Sequence, residues 1–304
     1  GPLLLEVAID GYIGEHPFTQ TIRLWQQEEK IDMRVAIDWQ YNTPIGEPGI
    51  AFRAENPRKA FYDDRFKLLV CFPAAIHDQQ IYKNAPFDVC KSQLENTYFN
   101  RWDQIKHAIV LNWVDLASNS GDNSLALFTD HTTSYVHGSD HPLALTLQFS
   151  GKALWGRDYP ITGPTDISYS LMPHAGRWDN DRIWTKGELA NEPLVASLVD
   201  LPSGGLTPQS YFSVADDAYE LVSMEMKDGD LYVRLFNAQS DETDRTITFR
   251  GDAEAIEWVE LNGETHRAAD YAAADNHTLA IAARIPRFGI RTLKLCGARL
   301  TERN

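Results

Sequence analysis

The chain alternates apolar and polar residues with a period of two along much of its length. Val35, Ile37 and Trp39 alternate with Ala36 and Asp38, and the same pattern recurs at residues 231–236. This period places successive side chains on opposite faces of a β-strand, one face buried and the other solvated. Helical periodicity is scarce. The pattern therefore predicts an all-β protein.

Further short strands are predicted along the chain, most of them bounded by Gly, Pro, Asn or Asp. They lie at residues 21–25, 67–72, 108–111, 125–129, 143–149, 167–173, 246–250, 279–285 and 291–295. Many short strands at close spacing are typical of a sandwich or barrel rather than of alternating strands and helices. The pair Asp228-Gly229 between two apolar runs predicts a tight hairpin.

One segment departs from the strand pattern and one resembles a linker. Residues 179–189 offer Asp or Asn as an N-cap, early acidic residues and a late Gly, which is compatible with about two helical turns. Residues 200–208 are rich in Pro, Gly and Ser and resemble a linker. We therefore predict a large β-sandwich domain at residues 1–203 and a smaller β-sandwich domain at residues 204–304.

Charge limits the classes of partner. The 304 residues contain 28 Lys and Arg against 43 Asp and Glu, a net charge of −15. This charge repels nucleic acid and anionic membrane surfaces and leaves neutral partners such as sugars. No apolar run approaches the roughly 18 residues of a membrane span, and the N-terminal residues lack the basic start of a signal peptide. We expect a cytoplasmic protein without a nucleic-acid or membrane partner.

The three cysteines are Cys71, Cys90 and Cys296. They are too few and too scattered for a disulfide framework or a zinc knuckle, and they favour a reducing compartment. Flat sandwich faces are also compatible with a homo-oligomer.

Several phrases of the chain share the order and spacing of one enzyme family. They are GEHPFTQTIRL at 14–24, ALFTDHTTSY at 126–135, LQFSGKALWGRDYP at 147–160, YSLMPHAG at 169–176 and PRFGIRTL at 286–293. Together they resemble the C-terminal β-sandwich region of bacterial α-mannosidases of glycoside hydrolase family 38. The resemblance extends over nearly the whole chain and implies a galactose mutarotase-like sandwich for the larger domain.

The resemblance also implies a division of labour. Members of the family are retaining α-mannosidases whose N-terminal barrel, with the segment after it, carries an Asp nucleophile, an acid/base carboxylate and a zinc ion held by His and Asp. We expect this chain to lack that barrel and to hold no catalytic residue and no metal of its own. Its role would be to brace the barrel of the same polypeptide and to line a cleft for a mannose-containing glycan.

The residues expected to line that cleft lie mainly in the loop after residue 151, because binding residues concentrate on loops. The candidates are Trp155, Arg157, Asp158 and Tyr159, together with Tyr135 and His131 upstream. The family resemblance implies an Arg reaching the sugar from the strand at 143–151. That strand ends in QFSG here, and Arg157 is the nearest guanidinium. Either Arg157 substitutes from the loop, or this subgroup of the family lacks that contact.

The densest group of possible metal ligands is His131, His137 and His141, with Asp130 and Asp140. Their spacing is unspecific, because a Gly-Ser-Asp turn reorients the third histidine and zinc needs three or four convergent donors. Capping, turn formation or a place at the cleft edge is favoured over a metal site.

For most of the other residues singled out by the sequence, we expect a structural role. His174 is expected to bond a neighbouring carbonyl, and Trp39 and Trp113 are expected in the core, whereas the loop residue Trp178, like Trp155, is a candidate for facing a cleft. The acidic pairs Asp63-Asp64 and Asp216-Asp217 are expected in solvated or turn positions.

Three alternative functions stay open. An independent carbohydrate-binding module is supported by the loop tryptophans. A stand-alone mutarotase or epimerase needs a His, such as His131 or His174, and a carboxylate acting as acid and base across one cleft. A purely structural or assembly role fits the flat faces of sandwiches.

Overall fold

The protein is described by a computed structural model at residues 1–42, 68–92, 105–138, 141–148, 151–154, 157–192, 195–198 and 210–300. Its contacts divide the chain into two compact units, Gly1–Glu192 (unit 1) and Pro193–Asn304 (unit 2). The predicted domain boundary between residues 203 and 204 lies outside the described residues. Both units consist almost entirely of antiparallel strands, which confirms the all-β sandwich prediction.

Unit 1 contains fourteen described strands and one helix. The strands are β1 (Leu4–Ile13), β2 (His16–Trp25), β3 (Ile31–Trp39), β4 (Leu68–Phe72), β5 (Gln79–Ala85), β6 (Asp88–Ser92), β7 (Ile105–Val110), β8 (Trp113–Ser118), β9 (Ser124–Thr129), β10 (Thr133–Gly138), β11 (His141–Gln148), β12 (Gly151–Leu154), β13 (Arg157–Tyr159) and β14 (Gly163–His174). The helix is α1 (Ile183–Asn191).

The strands of unit 1 form two main sheets and a hairpin. The large sheet has eight strands in the order β1-β2-β3-β14-β9-β8-β5-β6, and the small sheet has four in the order β4-β11-β10-β7. Strands β12 and β13 pair only with each other among the described residues. The long strand β14 pairs with β3 along one edge and with β9 along the other, so it joins the two halves of the large sheet.

The core of unit 1 lies between the two main sheets. Val35, Ile37 and Leu127 of the large sheet pack in one cluster with Leu143 and Leu145 of the small sheet. Each fully buried side chain of this size contributes about 1.5–3 kcal/mol relative to an exposed one. Alternation along the strands sends the intervening polar residues to the opposite face, called here the outer face of the large sheet.

Helix α1 covers one part of that outer face. Ile183, Trp184 and Gly187 are its buried residues, and it contacts β8 and β9. Beneath it, Trp113 has its ring centroid 6.1 Å from that of Trp178 and 6.2 Å from that of Trp184. A helix of nine residues is not stable alone in water, so this aromatic packing holds it in place.

The predicted helix at 179–189 begins later than expected. The helix starts at Ile183, after Arg182 in a left-handed conformation (φ 54°) that provides no side-chain cap. The reason lies in the preceding turn, where the side-chain oxygen of Asn180 accepts a hydrogen bond from the backbone N–H of Arg177. The Asn predicted as a cap is thus used in a turn instead.

Unit 2 is a smaller sandwich of two five-stranded sheets. Its strands are β15 (Phe212–Val214), β16 (Tyr219–Lys227), β17 (Asp230–Asn237), β18 (Arg245–Asp252), β19 (Ala255–Val259), β20 (Thr265–Ala268), β21 (Tyr271–Asp275), β22 (Thr278–Ala283), β23 (Ile290–Cys296) and β24 (Arg299–Leu300). The sheets run β15-β18-β22-β21, with β24 on β18, and β16-β17-β23-β19-β20. Leu235, Phe249, Ile281 and Leu293 lie in the core between them.

The predicted hairpin at Asp228-Gly229 is confirmed. Lys227 pairs with Asp230 across a two-residue turn, and both turn residues have positive φ, 53° for Asp228 and 88° for Gly229. These are the angles of a type I′ turn, whose twist matches that of the flanking strands.

Gly187 tests how tightly α1 packs on the sheet. A Cβ atom at this position would lie 2.7 Å from Cδ1 of Trp113, which is fully buried. Alanine improves helix propensity by about 1 kcal/mol, but overpacking a core costs about 1–3 kcal/mol. We expect Gly187→Ala to lower the free energy of unfolding of unit 1 by about 1–2 kcal/mol.

The measurement is urea denaturation followed by tryptophan fluorescence, because every tryptophan except Trp258 precedes residue 193. A stabilised Gly187→Ala variant would show that helix propensity outweighs the contact with Trp113.

Candidate functional site

The outer face of the large sheet carries a polar groove beside the C-terminal end of α1. One end of the groove is a cavity of about 310 Å³. It is lined by Thr21, Arg23, Lys30, Asp32, Met33, Arg34, Phe128, Thr129, Asp130, Ser168, Tyr169, Ser170, Ala190 and Asn191. Strands β2, β3, β14 and β9 supply most of this lining. We call it the helix-end pocket.

A second cavity of about 830 Å³ lies farther along the same strands. Its lining is more apolar and includes Tyr12 and Pro17, and Arg34 belongs to both cavities. Its described lining residues are Asp10, Gly11, Tyr12, Pro17, Phe18, Thr19, Arg34, Ala36, Ile37, Asp38, Pro164, Thr165 and Asp166. We call this the strand-end pocket, and the two pockets together the outer-face groove.

Strand register explains why these side chains meet. Arg23 of β2 pairs with Asp32 of β3, which pairs with Ser170 of β14. One step along, Arg34 pairs with Thr21 on one side and Ser168 on the other. Cross-strand neighbours on one face lie about 4.5–5.5 Å apart at Cβ, so these rows form a contiguous floor.

The Arg34–Asp166 ion pair stands where the two pockets meet. The Nε of Arg34 donates to Oδ1 of Asp166 at 2.7 Å and to Oδ2 at 2.9 Å, and Nη2 also donates to Oδ2. Both side chains are about half exposed. The hydrogen bonds from Arg34 lower the pKa of the Asp166 carboxyl, so it stays ionised at neutral pH. Such a two-pronged pair fixes both groups in one orientation.

The other charges of the groove are also held by neighbours. Asp32 accepts hydrogen bonds from Lys30 Nζ at 2.5 Å and from Ser170 Oγ at 2.7 Å. Arg23 donates to Glu6 at 2.6 Å. The groove therefore presents positively charged donors and negatively charged acceptors on side chains that these hydrogen bonds already orient.

The residues that the sequence analysis expected to line a sugar cleft do not all lie together in the structure. The side chains of Arg157, Asp158 and Tyr159 and all of Trp155 lie outside the described residues, although β13 places the backbone of 157–159 in the hairpin with β12. Their role stays a prediction.

Tyr135 lies in the core of unit 1 with no exposed surface, and burial raises the pKa of its phenol to about 12. It therefore does not line a cleft open to solvent. The two-residue period explains this, because Tyr135 lies on the inward face of β10.

His131 is partly exposed beside the helix-end pocket. Its Nδ1 is 2.5 Å from Oδ1 of Asp130, a lining residue. His137 is buried, with Nε2 2.6 Å from Oε1 of Gln79, and the side chain of His141 lies outside the described residues. Within the described ranges, no three His, Cys, Asp or Glu side chains converge as metal ligands.

Other placements agree with the sequence analysis. Trp39 and Trp113 are buried as predicted, and Asp216 and Asp217 are exposed in a short turn. Trp178 is buried rather than facing a cleft, because it stacks on Trp113. The pair Asp63-Asp64 lies outside the described residues.

His174 occupies a buried polar cluster beside the turn that precedes α1. Its Nε2 is 3.0 Å from Oδ1 of Asp115, and its Nδ1 is 3.2 Å from the carbonyl oxygen of Ala175 and 3.6 Å from Oδ2 of Asp181. The contact with a neighbouring carbonyl confirms the structural expectation. Asp115 is the carboxylate partner that sequence alone did not reveal.

The same cluster argues against a sugar acid/base pair. The side chains of His174 and Asp115 are only 3% and 0% exposed, so a substrate does not reach them. Lys186 of α1 binds both Asp181, at 3.0 Å, and Glu29 of the β2–β3 turn, at 2.9 Å. The cluster ties the helix to the sheet.

Protonation of His174 is coupled to the stability of unit 1. Burial lowers the pKa of His174, but the hydrogen bond and charge of Asp115, with the carbonyl of Ala175 and the charge of Asp181, outweigh it and raise the pKa above its usual 6.5. The folded state binds the His174 proton more tightly than the unfolded state does. The protonated imidazole therefore stabilises unit 1 fully below about pH 6.5, and this stabilisation is lost as the pH rises through the raised pKa of His174.

We expect His174→Gln to remove the contribution of the imidazole to this pH dependence, whereas the carboxyl of Asp115, whose pKa is raised by burial, still titrates. Wild-type unit 1 should become less stable from about pH 6.5 upward, whereas the variant should show a flatter profile, as measured by urea midpoints between pH 6 and 9. His277→Gln is the matched control, since His277 forms an exposed pair with Asp252 in unit 2. Identical profiles for wild type and His174→Gln would contradict the coupling.

Comparisons with known proteins identify structures of similar fold but show no relative of high sequence identity. No family model and no curated protein matches the chain. Among solved structures, it is similar to a glycosyl hydrolase family 38 protein from Enterococcus faecalis, with a TM-score of 0.63 and 14% identity, over 92% of this chain and 30% of that chain. It is also similar to an alpha-mannosidase from Enterococcus faecalis V583, with a TM-score of 0.65 and 15% identity, over 92% of this chain and 29% of that chain.

At this identity the likeness shows a shared fold. The chain spans about 30% of the length of these two solved proteins. No helix in the described parts of the chain has the length and apolar character to cross a membrane.

Proposed function

We propose that this chain is the non-catalytic C-terminal β-sandwich part of an α-mannosidase-like glycoside hydrolase. The observation that carries the proposal is the fold match, which covers 92% of this chain but only about 30% of two solved proteins described as a family 38 glycosyl hydrolase and an alpha-mannosidase. The order of the sequence phrases at 126–135, 147–160 and 169–176 supports the same relationship.

In this proposal the chemistry belongs to another part of a longer polypeptide. Retaining glycoside hydrolysis needs two carboxyl groups about 5 Å apart, one as nucleophile and one as acid and base. We propose that these groups and the zinc ion expected from the resemblance lie in a barrel outside this chain. The partners would be that barrel and a mannose-containing glycan.

The hairpin of β12 and β13 is the proposed contribution of this chain to the sugar cleft. It pairs with neither main sheet among the described residues, so it can project toward a neighbouring body. Arg157 is the proposed sugar-contacting group, with Trp155, Asp158 and Tyr159 beside it. Arginine suits this role because its planar fork donates to two oxygens at once.

The first test is enzymatic. The purified chain should release no nitrophenol from 4-nitrophenyl α-mannoside above background, whereas the product of the whole reading frame that contains it should hydrolyse this substrate. The reason is that the reacting groups are proposed to lie outside residues 1–304. Clear turnover by the pure chain would contradict the proposal.

A second prediction concerns Arg157 in that longer product. Losing a hydrogen bond from a charged group costs about 1.5–3 kcal/mol, so Arg157→Ala should reduce kcat/KM by about tenfold or more. Arg177→Ala is the matched control, since Arg177 is an exposed arginine of unit 1 whose ion-pair partner is Asp179. Equal kcat/KM for both variants and the wild type would remove Arg157 from the cleft.

A further inference from the structure

The outer-face groove has the chemistry of a ligand site of its own. Its two pockets, of about 310 and 830 Å³, have volumes in the range of small-ligand sites. Both lie on the rigid face of a sheet, which positions side chains better than a loop does.

The charges of the groove favour a neutral ligand. Among the described lining residues, the helix-end pocket contains three cations, Arg23, Lys30 and Arg34, against Asp32 and Asp130. The strand-end pocket has the opposite balance, with three aspartates and Arg34. An anion would be repelled at one end and a cation at the other. A ligand with uncharged hydroxyl groups can donate to the carboxylates and accept from the guanidinium and ammonium groups.

The shape of the groove favours an extended ligand. From Asp32 to Asp38 along β3 there are six residue steps, which at about 3.3 Å each make about 20 Å. The floor changes along this path from charged groups and hydroxyls to the apolar surfaces of Pro17 and Pro164. Tyr12 stands at the far end, 75% exposed, and offers a flat ring to the C–H face of a sugar.

A peptide fits this surface less well. Extended peptides bind sheets by adding to an edge, where main-chain N–H and C=O groups are free. Strands β2 and β3 are paired on both sides, and β14 pairs with β9 from Tyr169 onward, so the middle of the groove floor and its helix end offer side chains only.

We propose that the outer-face groove binds a neutral oligosaccharide that crosses the Arg34–Asp166 pair and places one sugar unit in each pocket. The pair would contribute donors and acceptors at the centre of the ligand, and Tyr12 would stack at its end. This inference does not rest on the proposed role in a glycosidase, because it concerns the isolated chain and needs no turnover.

The test is calorimetric titration of the purified chain with mannose, linear mannotriose and linear maltotriose. We expect at least one trisaccharide to bind at least tenfold more tightly than the monosaccharide, because only the longer ligand reaches both pockets. Absence of heat with both trisaccharides at millimolar concentration would overturn the proposal, whatever the outcome of the mannosidase assay.

Variants then locate the site. Arg34→Ala should weaken binding of that trisaccharide by about tenfold or more, since it removes a charged donor at the centre. Tyr12→Ala should weaken it by about threefold to tenfold and should fold normally, because the ring is mostly exposed. Arg177→Ala, with an arginine of similar exposure outside both pockets, should bind like the wild type.

Thermal unfolding of each variant separates loss of binding from loss of fold. Should Arg34→Ala unfold, the result for Tyr12→Ala decides. Trisaccharide binding that is unchanged in Tyr12→Ala and in every folded Arg34 variant would place the site elsewhere and overturn the proposal. Binding of an extended peptide without any binding of either trisaccharide would overturn it as well.

Discussion

The packing of the large sheet of unit 1 against the small sheet organises the rest of this unit. Apolar side chains such as Ile37 and Leu127 must point inward to fill the core, and the two-residue period then forces their neighbours outward. A shift of one residue in the pairing of β14 with β3 would bury Asp166 and expose Ile167. The same register that fills the core therefore aligns Arg34, Asp166 and the serines of β14 on the outer face.

Helix α1 divides that outer face into two environments. Over β8 and β9 it creates a second, dry layer around Trp113, where His174 and Asp115 share a buried contact. Beyond its last turn the sheet is open, and the polar residues of β2, β3 and β14 remain hydrated. Among the described elements only α1 covers this face, and a nine-residue helix is too short to cover eight strands.

The sequence predicted the fold far better than it predicted the candidate site. Alternation in β3 and β17 and the Asp228-Gly229 turn depend on local chemistry, which a single sequence displays. The predicted start of α1 was wrong because Asn180 can act either as a helix cap or in a turn. Only the surrounding contacts decide between these two roles.

The groove could not be found in this way. Arg34 and Asp166 are 132 positions apart, and each looks like an ordinary residue on the solvated side of its strand. The signal was present as polar alternation at Asp32 and Arg34 and again at Asp166, Ser168 and Ser170, but only the pairing of β3 with β14 brings the two sets together. The contact between His174 and Asp115 could not be predicted for the same reason, because the two residues are 59 positions apart.

The two ion pairs of Lys186 have a consequence for the native-state dynamics of unit 1. One ammonium group links α1 to Glu29 in the β2–β3 turn and to Asp181 beside His174. Detaching the helix from the sheet would break the contact with Glu29 and expose Trp113 and Trp184 to water in the same event. The helix and the tryptophans packed against it should therefore open as a single cooperative unit in amide hydrogen exchange, rather than fray residue by residue.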